Sequence, residues 1–312
     1  MPTLHPNSPS LPVGTTEQSA GRARFGGLWI PLVTPFRDGR VDHDALAALT
    51  RSLAATGVRG FVVCGSTGEA ASLDRDEQLA CLQTVAAHAH GLPLVMGASG
   101  HHLGRMLERM RELGRLAAEL PGLCAVLLPA PHYVRPSQAG LREWFETLAD
   151  ASALPLIVYD IPYRTGATLA RETLLALAAH PHIRAVKDCG GDSGKTLALL
   201  ADGRLEVLAG EDLQIFGHLA QGAVGAIAAS AHLRSADFVQ TMQALQAGRL
   251  DDARQRWLRL VPLIEAAFAE PNPAAIKAWL AQEGRMANEL RAPMTAASPA
   301  LAQRLARLRQ AG

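Results

Sequence analysis

Lys187 stands at the end of a short apolar run, 181-PHIRAVKDCGG-191, after Ile183, Ala185 and Val186 and before Asp188 and a glycine pair. The chain has three lysines, Lys187, Lys195 and Lys277, and arginine carries nearly all its other positive charge. An amine at such a strand end can be a nucleophile. An ordinary lysine, with a pKa near 10.4, leaves about one free amine in a few thousand molecules at pH 7, and burial raises that fraction by disfavouring the ammonium. The alternative is a structural ion pair with a neighbour such as Asp188. Arginine would serve the second purpose but not the first, because a guanidinium keeps its proton at accessible pH.

Other chemistry-bearing residues sit in similar places. The segment GSTGE (65–69) offers the hydroxyls of Ser66 and Thr67 and several backbone N–H groups to a carboxylate, or it is simply a tight connection. Tyr133 and Tyr159, two of three tyrosines, can relay protons or can pack. Arg164, in YDIPYRTG, can grip a carboxylate through two parallel bonds or stand solvated on the surface. His101 and His102 lack a third ligand at a recognisable spacing, so no metal is expected. No G-x-G-x-x-G turn follows the first apolar run and no Walker lysine follows GSTGE, which leaves no cofactor signature.

The elements that must hold these residues are eight β-type runs: LWIPLV (28–33), GFVVCG (60–65), PLVMGA (93–98), CAVLLP (124–129), PLIVYD (155–160), RAVKD (184–188), LEVLA (205–209) and AVGAIAA (223–229). Several are apolar throughout, as in parallel strands covered on both faces, and the segments between them, such as 42–57, have helical spacing ending in glycine. Asp74 with Glu77 reads as a capping box. Eight strand–helix units predict an α/β fold, a (β/α)8 TIM barrel, over residues 26–234, followed by a helical region over 235–312. Residues 1–25, rich in Pro, Ser and Thr, read as a disordered leader and not a signal peptide.

The chain of 312 residues is 48% hydrophobic and 19% charged, with a formal net charge of +1. Nothing in that balance steers nucleic acid or an anionic membrane, and no apolar run reaches the length of a bilayer. Four cysteines without a C-x-x-C pair fit a reducing compartment, so the expected location is the cytoplasm.

Taken together in this order, PLVTPF (31–36), GSTGE, HYVRPSQ (132–138), IVYDIPYRTG (157–166), VKDCGG (186–191), AGED (209–212) and GAIAAS (225–230) resemble the dihydrodipicolinate synthase / N-acetylneuraminate lyase family of Schiff-base-forming barrel enzymes. The resemblance spans about residues 26–295. It implies that Lys187 forms an imine with pyruvate, and that Ser66 and Thr67 hold the pyruvate carboxylate. It implies a proton relay of Thr67, Tyr159 and Tyr133, the last reaching into a partner's site in a dimer or dimer of dimers. Arg164 would bind the carboxylate of a second substrate, an aldehyde, while Gly210 and the carbonyl of Ile227 line the pocket. In the synthase branch that aldehyde is L-aspartate 4-semialdehyde. The alternative is a pyruvate-releasing lyase acting on a sialic acid, a 2-keto-3-deoxy sugar acid or 4-hydroxy-2-oxoglutarate. GSTGE, Tyr159-Asp160 and Lys187-Asp188-Cys189 depart from the GTTGE, YN and KEA of most synthases. At the places where lysine-inhibited members hold their inhibitor, this chain has Arg105, Arg75, Gln78 and His132, which implies that lysine does not inhibit it.

Overall fold

The computed structural model describes residues 24–311. Eight parallel strands close into a barrel: Gly27–Pro31, Gly60–Val63, Leu94–Gly97, Leu123–Pro129, Leu156–Asp160, Ile183–Asp188, Glu206–Ala209 and Gly225–Ile227. Each pairs with the next, and Trp29 on the first lies opposite both Gly60 on the second and Ile227 on the eighth, which shuts the ring. All eight apolar runs form strands, and helices cover the outside, so the fold is the expected (β/α)8 barrel.

Strand alternation divides the apolar residues into two cores. One parity fills the lumen with Trp29, Val62, Val95, Ile157, Leu208 and Ile227, while Val158 and Val186 face the helices in a larger cluster. Phe25, just before the first strand, is fully buried in the lumen cluster. Its N–H donates to Glu206 Oε2 at 2.7 Å, and its carbonyl accepts from Trp29 Nε1 at 2.8 Å. The expected leader therefore has to be shortened. Residues 1–23 lie outside the described residues, but Phe25 belongs to the barrel, where a large apolar side chain plugs the end at which the strands start.

The capping box forms as read: Glu77 N–H donates to Asp74 Oδ1 at 2.8 Å, Asp74 N–H donates to Glu77 Oε2 at 3.1 Å, and the helix Arg75–His88 follows. After the eighth strand come Ala231–Gln246, Leu250–Ala267, Ala274–Gln282 and Pro299–Ala311. The division expected at 234/235 falls inside the first of these, at a kink where Arg234 has φ −150°. Trp279 and Ile276 share a core cluster with Leu28 and Val33, so these helices pack on the barrel itself. Among the described residues no helix is long and apolar enough to cross a membrane.

Candidate active site

Lys187 is the fifth residue of the sixth strand and shares the lumen-facing parity of Ala185 and Cys189. In the register of the sheet it lies opposite Tyr159 on the fifth strand, and its Nζ sits 4.2 Å from the centroid of that ring. Gly210, after the seventh strand, packs against it. A Cβ there would fall 2.9 Å from Lys187 Cγ and 2.4 Å from Cys189 Sγ, so only glycine lets the loop pass so close. Lys187 is 6% exposed, and this burial pushes its pKa below the ordinary lysine value, with the acidic Asp212 and Glu211 working the other way.

The ion-pair reading of Lys187 with Asp188 does not occur. Asp188 accepts instead from Gly190 N at 2.9 Å and from Thr196 Oγ1 at 2.5 Å, and Lys187 makes no ion pair among the described residues. The other two lysines are each closed against a buried carboxylate, Lys195 on Asp160 and Lys277 on Glu69. Of three amines, only Lys187 is buried without a counter-ion in contact.

The GSTGE loop meets this amine across Tyr159. Ser66–Gly68 form one 3-10 turn, and Glu69 ends it in the left-handed region at φ 52°. Thr34 of PLVTPF donates to Gly68 O at 2.7 Å and holds the turn against the first strand. Burial pushes the Tyr159 phenol well above its usual pKa, and Ser66 is the hydroxyl that opposes this shift. Thr67, expected in the relay, is buried, and its Oγ1 accepts from Asn272 Nδ2 at 2.9 Å, while the hydroxyl bonded to the Tyr159 phenol is that of Ser66.

Arg164 is carried by the one-turn helix Pro162–Thr165, which starts with proline and stops where Gly166 at φ 71° returns its N–H to Pro162 O at 2.8 Å. It makes no ion pair among the described residues. Ser66, Tyr159 and Arg164 together line a cavity of about 340 Å³, and Lys187 contacts the ring of Tyr159. Ile227 ends the eighth strand, fully buried in the lumen. Tyr133 is not in this cavity. It is 87% exposed, with φ 74° and its N–H donated to Thr165 O at 3.1 Å.

Three contributors were not read from the sequence. Asn272 reaches Thr67 from more than two hundred positions away, a pairing that no local spacing encodes. Glu69 looks like part of the carboxylate-binding loop but is buried against Lys277 and accepts from Arg291 N at 3.2 Å, so it anchors that loop to the C-terminal region. Asp212 of AGED is buried and accepts from Ser230 N at 2.7 Å and Ser230 Oγ at 2.5 Å, and burial pushes its pKa up to about 6. The motif pair AGED and GAIAAS held that signal, since an acid and a serine at neighbouring strand ends can bond across them.

A model of the dihydrodipicolinate synthetase family matches residues 24–311. The chain is 34% identical over 273 residues to a 4-hydroxy-tetrahydrodipicolinate synthase of Pelobacter propionicus, covering 86% of this chain and 92% of that protein. It is 35% identical over 279 residues to one from Enterococcus faecalis, covering 88% and 95%. Among solved structures, the dihydrodipicolinate synthase of Thermotoga maritima superposes with a TM-score of 0.87 at 27% identity, covering 92% of this chain and 98% of that one. The motifs that frame Lys187 and the barrel that carries them thus agree with a match over nearly the whole described chain: the protein belongs to the dihydrodipicolinate synthetase family.

Proposed function

We propose that the protein condenses pyruvate with L-aspartate 4-semialdehyde to 4-hydroxy-tetrahydrodipicolinate, through an imine on Lys187. The observation that carries this reading is a buried amine with a lowered pKa, stacked on Tyr159 beside a cavity that also presents Arg164. The neutral amine attacks the pyruvate ketone carbon, and loss of the carbinolamine oxygen as water leaves the imine. Removal of a proton from the pyruvate methyl gives the enamine, which bonds to the aldehyde carbon of the second substrate while that aldehyde oxygen takes up a proton. Tyr159, kept neutral by burial, is suited to hand protons on, with the Ser66 hydroxyl as its neighbour. Thr67 contributes to carboxylate binding from a position fixed by Asn272. Arg164 supplies the fork for the aldehyde's carboxylate, which orients the carbonyl toward the enamine. Four unpaired cysteines support a cytoplasmic setting.

With pyruvate and aspartate semialdehyde the protein should consume both. Pyruvate release from N-acetylneuraminate, a 2-keto-3-deoxy sugar acid or 4-hydroxy-2-oxoglutarate, with no condensation, would overturn the assignment. Arg164→Ala should raise the KM for the aldehyde about tenfold or more, as loss of a charge-assisted hydrogen bond does, while borohydride trapping of pyruvate continues. An unchanged KM would remove Arg164 from substrate binding.

The exposed Tyr133 supports an active unit of at least two chains, since a phenol outside its own cavity is placed to enter a partner's. Mixing inactive Tyr133→Phe with inactive Lys187→Ala chains should then restore part of the activity through hybrid sites. Hybrids that form but stay inactive would rule out an intersubunit role for Tyr133.

A further inference from the structure

On the face of the strands that points away from the lumen, a buried ion pair sits directly behind the stacked Tyr159 and Lys187. Strand register puts Asp160 beside Asp188, each one residue past that stack and therefore on the opposite face, and both carboxylates are buried. Burial pushes the Asp160 carboxyl above its usual pKa, and Lys195 opposes that shift. Lys195 comes from the first turn of the helix Ser193–Asp202, where its own N–H donates to the capping Asp192 Oδ1 at 3.0 Å. Its amine closes on Asp160 Oδ2 and donates a second bond to Leu169 O at 3.1 Å. The Leu169 N–H in turn donates to Asp160 Oδ1 at 3.4 Å. Gly190, three residues after Lys187, passes over the pair so closely that a Cβ there would fall 2.6 Å from both Asp160 Oδ2 and Lys195 Nζ.

Asp160 and Leu169 are the two ends of one loop, the segment that carries Arg164. Thr165 ties the loop to itself, its Oγ1 donating to Ala167 O at 3.0 Å. From outside, Gln138 holds only the exit, donating to Thr168 O at 2.8 Å and accepting from Ala170 N at 2.9 Å. The Lys195 amine is different, because it bonds the entry and the exit at once. A buried ion pair is seldom a net gain over apolar packing, since both charges give up water. This one closes a loop that would otherwise keep the freedom of an open chain, and it does so at the strand end that holds Tyr159.

We infer that Lys195 is a positioning residue: by clasping Asp160 to Leu169 it fixes the loop 161–168 and so sets Arg164 and Tyr159 relative to Lys187. The effect on catalysis rests on the reading of Arg164 as the fork for the aldehyde, whereas the clasp itself does not.

Lys195→Met keeps the length of the side chain and removes the amine. Hydrogen–deuterium exchange should rise by about tenfold or more in a peptide covering 161–168, the scale of losing a charge-assisted hydrogen bond, and stay unchanged in the strand Leu94–Gly97. The kcat/KM for the aldehyde should fall by a similar factor, while pyruvate is still trapped on Lys187 by borohydride. No rise in the loop, or an equal rise in both segments, overturns the clasp, because a purely structural pair would loosen the chain as a whole. A loosened loop with unchanged kcat/KM overturns the positioning role. Arg164→Ala, measured beside it, separates the two readings: an unchanged KM for the aldehyde there sinks the substrate assignment, and exchange still decides the clasp. Should Lys195→Met not fold, Asp160→Asn/Lys195→Met removes both charges together and carries the same test. Recovered stability with a loop that still exchanges faster supports the clasp, and recovery of stability, exchange and kcat/KM together overturns it.

Discussion

Lys187→Ala should lower kcat by at least about a thousandfold, the scale of losing a covalent nucleophile, and abolish borohydride trapping of pyruvate. Lys187→Arg should be equally inactive although it keeps the charge, because a guanidinium does not become a neutral nucleophile. In the wild type the rate of trapping should rise with pH as the free amine forms and level off at a midpoint below the ordinary 10.5, the direction set by burial. Trapping on Lys195 or Lys277, or a midpoint at or above 10.5, contradicts this. The same burial carries a stability penalty. With the folded pKa depressed, the unfolded chain binds more protons, so the penalty is fully present below the folded pKa and fades as pH rises through the unfolded value. Lys187→Met should accordingly leave the thermal midpoint at pH 7 unchanged or raise it.

Lys277→Met should have the opposite effect on stability, lowering it by about 3–5 kcal/mol, because it strands the Glu69 carboxylate in the protein interior. Lys277 is fully buried, is paired with Glu69, donates to Glu289 O at 2.9 Å and has Phe36 under its Nζ at 4.1 Å. Activity should fall as well, since Glu69 ends the GSTGE turn. The double variant Glu69→Gln/Lys277→Met should recover part of the loss, because it removes both charges together. Urea unfolding measures this, and a change under about 1 kcal/mol for the single variant would mean that the pair is well hydrated.

How much of this was legible in the sequence follows from the range of each interaction. Strands buried on both faces write themselves as apolar runs, and the (β/α)8 count could be read from them. Local caps such as Asp74 with Glu77 were equally plain. Lys187 and Tyr159 could be found because both stand next to last in a strand, and their stacking follows from the barrel register. What stayed hidden rests on contacts between distant segments. Neither the bond of Asn272 to Thr67 nor the pairing of Glu69 with Lys277 leaves a periodic trace. For that reason two neighbouring hydroxyls, Ser66 and Thr67, could not be told apart before the fold showed which one faces the phenol. Phe25 reads as leader from its local composition, whereas its burial is decided by the lumen cluster it joins.

The sealing of Lys195 and Lys277 behind carboxylates also decides how the folded protein meets chemical reagents. With every other side-chain cation an arginine or histidine, acylating and reductively alkylating reagents find no solvent-exposed ε-amine on its surface: the three lysines are exposed to 6%, 3% and 0%. Carbonyl compounds small enough to enter the barrel mouth meet one ε-amine, that of Lys187, without a carboxylate in contact. Among its lysines the protein thus comes with a built-in chemoselectivity, in which abundant positive charge is presented to solvent in a form that does not react, and the one ε-amine free of a carboxylate is held against Tyr159 of the reaction cavity.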